Sequence, residues 1–457
     1  MTLQIFKTLN FLLIISGSIL LIFLLLMSIV SLIEKEYFAF KRSILLLIIP
    51  LPFFIIGLID FPLKNLFTII LLSFLVISIL LLLIPSLKKT KPENPKVRID
   101  ERDIPFSRAK YIKGTKLYEN YYNRFPEKKI KDDNIRSKPG LLNKDTLYYD
   151  KVMFASAKAS FSTIEGLSKF VKGKEVEEKT ELNPIEISKY IKKWGQHLGA
   201  HTVGITNLKD YHLYSYTGRG EDYGKKITKE YKYAIAFTVE MDHLMYKCAP
   251  KAPSVMESSK KYVDAATIAV QLSLFIRNIG YPARPHIDAN YQVICPLVAR
   301  DAGLGEIGRM GLLITPKLGP RVRIGVITTN LPLITDKRNY DPSVENFCKI
   351  CKKCAHVCPS KAISFDDKKI INGVKRWQIN WDKCYSLWCT TGTDCGRCIS
   401  VCPYSHPNNF IHNIVRFFIK HSKLFRIFAI SMDDFMYGKN PISASIPKWM
   451  TVNKNIK

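Results

Sequence analysis

Nine of the eleven cysteines in this 457-residue chain fall between Cys348 and Cys402. Cys348, Cys351, Cys354 and Cys358, followed by Pro359, spell C-x2-C-x2-C-x3-C-P. Cys395, Cys398 and Cys402, followed by Pro403, repeat its second half. A cubane iron–sulfur cluster needs four thiolates; a tight loop supplies three, and in two-cluster ferredoxins the cysteine before proline serves the other cluster. The spacing therefore predicts one [4Fe-4S] cluster on Cys348, Cys351, Cys354 and Cys402. A second takes Cys358, Cys395, Cys398 and one upstream thiol, for which Cys384 and Cys389 compete. Zinc sites favour paired C-x2-C knuckles, and an odd, tightly packed cysteine count in a long chain argues for metal over a disulfide framework. Cys248 and Cys295 lie far from these motifs and read as buried hydrophobes. Linked clusters pass single electrons, so this chain delivers electrons to something.

Gly303, Gly305 and Gly308 form G-x-G-x-x-G, with Gly311 close behind. A dinucleotide site needs a strand before this pattern, a helix after it and an acid further on. Leu312–Ile314 and Pro316 follow instead, so the glycines read as places of close backbone approach to another cofactor. His286 reads as a satisfied structural histidine. Arg309 and Lys317 read as solvated surface charge.

The elements that must position these groups are legible in outline. Pro184–Leu198 has helical spacing, and Val263–Ile279 reads as a helix stopped by Gly280. Thr202–Ile205, Tyr233–Val239, Gln292–Leu297 and Val322–Thr328 are strand candidates, with Tyr233–Val239 apolar enough to be buried on both faces. Small-residue helical stretches surround Met153–Phe170, and a basic amphipathic helix is expected around Phe410–Phe428. No 20- to 50-residue repeat is visible, which excludes a solenoid. The expected architecture is an α/β domain over 183–335, preceded by a linker region over 91–182. A two-cluster ferredoxin-like module over 336–407 and a basic C-terminal segment over 408–457 follow.

The first ninety residues are of another kind. Thr8–Ile33, Ser43–Ile59 and Asn65–Leu87 contain no charged residue. The first and third are long enough to cross a bilayer, and the middle one, at 17 residues, lies at the lower limit. A cleaved signal is not followed by two further apolar runs, and no twin-arginine pair precedes the first. A membrane anchor of about three helices over 1–90 is expected. It explains how a net charge of +29 coexists with a mean hydropathy of +0.01. With three crossings, one side receives Lys7 and Lys64. The other receives Lys35, Lys41, Arg42, Lys88, Lys89 and Lys91, which makes it cytoplasmic. The soluble part should thus face the cytoplasm from the cell membrane, beyond a basic linker, Lys88–Arg98. Its own charge, about +25, lies near anionic lipid. No nucleic-acid motif accompanies it, and no nucleic-acid partner is expected.

From about Pro105 to Gly438 the chain resembles the corrinoid-dependent reductive dehalogenases. The runs that carry the resemblance are Pro105–Ala109 (PFSRA), Tyr216–Gly224 (YTGRGEDYG), Tyr233–Asp242 (YAIAFTVEMD), Phe275–Tyr281 (FIRNIGY), Asp301–Arg323 (DAGLGEIGRMGLLITPKLGPRVR) and Asp394–Tyr404 (DCGRCISVCPY). The resemblance implies a nitroreductase-like corrinoid-binding domain joined to a two-cluster ferredoxin domain, with the corrinoid held base-off. It selects Cys384, in KCYSLW, over Cys389 as the last cluster ligand. It also implies reductive cleavage of a carbon–halogen bond of an organohalide, with Tyr262 as proton donor and Arg321, in GPRVR, steadying the phenolate. A phenol near pKa 10 needs such a cation to give up its proton at neutral pH. Asp288 aligns with a polar amide that the tetrachloroethene-reducing branch places near its substrate, and an acid there alters the local charge. Respiratory members carry a twin-arginine signal and a separate anchor, so built-in spans point to a detoxifying or catabolic role. The electron donor implied is a low-potential ferredoxin, a flavodoxin or a membrane quinol-linked reductase. Two other readings share parts of this pattern: an epoxyqueuosine-reductase-like enzyme, and a membrane ferredoxin without catalysis.

Overall fold

The computed structural model describes residues 2–84, 93–338 and 340–452; of the basic exit linker, Lys88, Lys89 and Lys91 lie outside the described residues. The chain divides into two compact units. One joins Met1–Lys89 with Pro407–Pro441, and the other joins Thr90–His406 with Ile442–Lys457. The C-terminal segment, expected as one piece, is thus shared between them.

The first unit is helical: α1 (Thr2–Ile33), α2 (Tyr37–Leu46), α3 (Leu51–Leu58) and α4 (Lys64–Leu83). Three stretches are long and apolar enough to cross a membrane, Gln4–Ile33, Tyr37–Leu58 and Lys64–Leu82. The middle stretch reaches 22 residues because its helix starts at Tyr37, ahead of the charged Lys41 and Arg42. It is broken between α2 and α3, where Pro50 and Pro52 remove backbone donors. Phe410–His421 and Lys423–Tyr437 complete the unit. They are two helices where one was expected, because Ser422 turns extended and its hydroxyl caps the second by accepting from Phe425 N at 3.1 Å.

The second unit is built on a four-stranded antiparallel sheet, ordered β1-β2-β6-β3. Its strands are β1 (Thr202–Asn207), β2 (Tyr233–Glu240), β3 (Ala283–His286) and β6 (Val322–Thr329); β4 (Glu306–Ile307) and β5 (Leu313–Ile314) form a separate small hairpin. Alternation sends Ile235, Phe237 and Val239 to one face, against the Pro184–His197 and Ala252–Asn278 helices. Ala234 and Ala236 go to the other, against Val298 and Ala299 of the Cys295–Asp301 helix. Both faces are covered, which accounts for the unbroken apolar run in β2.

Two expectations need correction. The helix read from Val263 begins at Ala252 with Pro253 in its first turn; its early turns carry Ser254, Glu257, Ser258 and Ser259, polar yet buried, and so hid the period. Gln292–Leu297 is not a strand. Val293 makes one bridge with Leu213, and Pro296 then starts the Cys295–Asp301 helix.

Candidate active site

The cysteine module hangs its thiols on short, capped elements. Asp341 caps the Pro342–Cys351 helix through Ser343 N, and Asn380 caps Trp381–Thr391 through Lys383 N. Lys352, Cys395 and Gly396 take positive φ of 53°, 60° and 72°, tight reversals that turn successive thiols inward. The thiols fall into two groups by which of them feel one another. Cys402 is coupled to Cys348, Cys351 and Cys354. Cys384 is coupled to Cys395 and Cys358, and Cys398 to Cys395, Cys384, Cys354 and Cys358. Burial pushes Cys384 up to about 12 and Cys395 to about 11, with neighbouring thiols adding to both shifts. Two sets of four thiols, each set sharing its surroundings and able to ionise when bound to metal, form a donor set that fits iron–sulfur ligation. Cys389 stands apart: burial raises it, and Tyr385 and Lys138 are its electrostatic neighbours.

Arg309 is not surface charge. It is 1% exposed and lies under the first cysteine turn, donating to Cys348 O (3.0 Å), Ser364 O (2.8 Å) and Asp366 O (2.8 Å). The Trp377 ring covers it at 4.6 Å. Only a fork of several N–H donors can serve three diverging carbonyls, a demand that the linear sequence does not display. The close approach at Gly305 and Gly308 is to the chain itself. A Cβ on Gly305 would lie 2.3 Å from Ile314 O, and one on Gly308 2.8 Å from Ile314 Cγ1 and 3.4 Å from Cys348 Sγ. Gly303 and Gly311 take φ of 79° and 73°, as turns require. The G-x-G-x-x-G pattern belongs to the β4–β5 hairpin seated on the cysteine module.

A second cluster of functional groups centres on Tyr262. The guanidinium of Arg323 lies over its ring at 3.7 Å and donates through Nη2 to Ser258 Oγ at 2.6 Å. Ser258 and Tyr262 are four residues apart on one helix, hence on one face. Ser258 also influences the ionisation of Asp394 and of Tyr246, which lie beside it. Asp394 immediately precedes Cys395, and a Cβ on Gly396 would lie 2.9 Å from the Tyr246 ring. The turn carrying Cys395 therefore packs on the tyrosine pocket. Tyr262, Tyr291, Arg323 and Cys295 each keep part of their surface open, although burial dominates their surroundings. Arg323 Nε and Asp394 Oδ1 are buried there without hydrogen-bond partners, which fits a polar-edged cofactor such as a corrinoid. Burial raises the Tyr262 phenol above its ordinary value; Arg323 opposes that shift and Asp288 adds to it.

Arg321 is not the cation beside this phenol. It closes the Leu318 turn ahead of β6, and its guanidinium binds Ser405 O at 2.9 Å, Glu240 Oε1 at 2.9 Å and Met241 O. Arg323, two residues on and inside β6, occupies the position. Asp288 does join the cluster. Its Oδ1 lies 3.6 Å from Arg219 Nη1, and Arg219 is held by the buried Glu101 through a 2.9 Å bond. Sequence reasoning missed Arg323, Arg219, Tyr246, Tyr291 and Ser258. Arg219 and Arg323 lie inside the runs YTGRGEDYG and GPRVR, which single them out only once the fold is known. His286 is satisfied, as expected, by Thr328 Oγ1 and Gln292 N.

Residues 347–406 match the 4Fe-4S dicluster domain family. A tetrachloroethene reductive dehalogenase of Sulfurospirillum multivorans is 32% identical over 292 residues, covering 56% of this chain and 58% of the relative. A solved catabolic reductive dehalogenase in complex with 3-bromo-4-hydroxybenzoic acid superposes with a TM-score of 0.64 at 25% identity, covering 78% of this chain and 49% of that one. An epoxyqueuosine reductase of Atelocyanobacterium thalassa is 38% identical over 65 residues, 14% of this chain. The chain thus spans only about half the length of the dehalogenase relatives that it matches.

Proposed function

We propose, from the premise that this chain is a homologue of the reductive dehalogenases, that it is a membrane-anchored iron–sulfur and corrinoid oxidoreductase that removes halogen from an organohalide. Two electrons and a proton enter, a carbon–hydrogen bond replaces the carbon–halogen bond, and halide leaves. Cys348, Cys351, Cys354 and Cys402 hold one [4Fe-4S] cluster, and Cys358, Cys384, Cys395 and Cys398 the other. The coupling of Cys354 to Cys398 supports a short step between them. A bound corrinoid, base-off, supplies a redox-active cobalt able to break the carbon–halogen bond.

The chain's own residues do the rest. Tyr262 donates the proton from its hydroxyl oxygen. Arg323, whose guanidinium lies over the ring 3.7 Å from its centre, stabilises the phenolate that remains, and Ser258 holds that guanidinium in place. Asp288, paired with Arg219, sets the charge that a substrate meets beside Tyr262. The observation that carries this reading is the Tyr262–Arg323 contact, with Ser258 holding the guanidinium and the turn of Cys395 packed beside it against Tyr246. We further propose that α1–α4 anchor the soluble unit on the cytoplasmic side, that its role is detoxifying or catabolic, and that a low-potential ferredoxin, flavodoxin or quinol-linked reductase feeds it.

Anaerobic reconstitution tests the reading. The loaded protein should contain about one corrinoid and about eight irons and release halide from at least one member of a panel of aryl, alkenyl and alkyl halides. Clusters without corrinoid would leave the non-catalytic ferredoxin reading in its place.

A further inference from the structure

The two helices that complete the membrane unit bury one face and leave the other apolar. Ile411, Ile419, Ala429 and Met436 turn inward. Outward, Phe410, Phe417, Ile427 and Phe428 are 71, 57, 52 and 50% exposed, with Lys420 and Lys423 exposed among them. Large apolar side chains clustered this way mark a contact surface.

Their position says what covers it. Phe410–His421 packs on α1 and α4, and Lys423–Tyr437 on α2 and α4. The carboxylate of Glu34 accepts from Asn409 Nδ2 at 2.5 Å and pairs with His412 Nε2 at 3.1 Å. The Arg42 guanidinium lies over the Phe435 ring at 4.9 Å. Glu34 directly follows α1, and Arg42 lies in the first turns of α2. The helix pair is therefore pinned to the charged end of two membrane-length stretches, at headgroup height rather than mid-bilayer. Its junction is fixed from within. Arg426 of the second helix donates to Ile419 O (2.8 Å) and Lys420 O (3.1 Å), capping the carbonyl end of the first.

We propose that Phe410–Tyr437 forms an interfacial collar lying in the plane of the membrane. Phe417, Ile427 and Phe428 enter the boundary between headgroups and acyl chains, and Lys420 and Lys423 meet anionic headgroups. A lipid surface is favoured over a protein partner because the face is continuous with the anchor and combines apolar with basic side chains, the composition of helices that lie on membranes. The inference rests on the membrane reading of α1–α4.

The test uses the full-length protein in vesicles of phosphatidylethanolamine and phosphatidylglycerol. The photo-crosslinking amino acid p-benzoylphenylalanine replaces, one at a time, Phe417, Phe428 and Phe74, an exposed residue of α4, and adducts are identified by mass. Lipid adducts at all three positions are expected. Lipid at Phe74 alone, or protein adducts at Phe417 and Phe428, overturns the collar and leaves the anchor standing. No lipid at Phe74 overturns the anchor reading itself. With the Phe428 probe, Lys420→Gln/Lys423→Gln should lower the phosphatidylglycerol share of adducts severalfold; an unchanged share removes the headgroup contact.

Discussion

The thiol module and the tyrosine pocket meet at one turn, Asp394 to Gly396, yet they are built by opposite means. In the module, Cys348, Cys351 and Cys354 of one group and Cys395 and Cys398 of the other sit within short stretches, and backbone turns aim them. Around Tyr262, Arg219, Tyr246, Asp288 and Arg323 come from segments far apart from the helix that carries Ser258 and Tyr262, and side-chain contacts such as Arg323–Ser258 and Arg219–Asp288 hold them. A site made of local turns fails as a whole when one ligand is lost. A site assembled from distant side chains loses one property at a time.

The strongest way to break this contrast is Cys398→Ser. Its thiol is coupled to four others, so iron content should fall by about half or more, with loss of soluble protein; full iron by chemical assay would show that the module tolerates piecemeal loss. Tyr262→Phe should instead spare iron and corrinoid content and lower halide release by about 10²–10⁴-fold, the range of general acid catalysis. The two arginines of GPRVR sharpen the point. Arg323→Gln should lower kcat with little change in Tm, whereas Arg321→Gln should lower stability by about 1–3 kcal/mol, because Ser405 O and Met241 O lose a buried donor; thermal melts and steady-state rates together separate them.

The pH profile follows from the direction of one shift. The Tyr262 pKa is raised, so the phenol stays protonated, and able to donate, until the pH passes a value above the ordinary one of about 10. Halide release should show no loss assignable to this group between about pH 7 and 9, and a loss there that vanishes in Tyr262→Phe would contradict the assignment. The smallest effect belongs to the surface. Hydrogen bonds from Lys225 and Lys172 draw Asp222 down to about 2. Its stabilising contribution is present above the unfolded value of about 3.9 and is lost as the pH falls through about 2. Asp222→Asn should cost under about 1 kcal/mol at neutral pH, read by denaturant melts.

Legibility in the sequence followed the same divide. The cysteine grouping could be read from spacing because ligation by a loop is local, and three apolar runs marked the membrane-length helices because apolar length is a local property. The strands β1, β2 and β6 announced themselves by apolar runs. Arg323 could not be told from Arg321 by spacing, since only the turn at Leu318 decides which one reaches Tyr262. The buried polar turns of Ala252–Asn278 hid the helix start for the reason that makes them useful: Ser258 is where the pocket needs a hydroxyl. Arg309 passed for surface charge because its partners are backbone carbonyls, which carry no sequence signal.

That last residue has a consequence of its own. A guanidinium keeps its charge at every pH at which proteins are folded, and Arg309 is fixed beneath Cys348 by three carbonyls. Any redox centre held by Cys348 therefore gains an electron in a field that protons cannot switch off. The electron's arrival there meets a positive charge built into the protein itself.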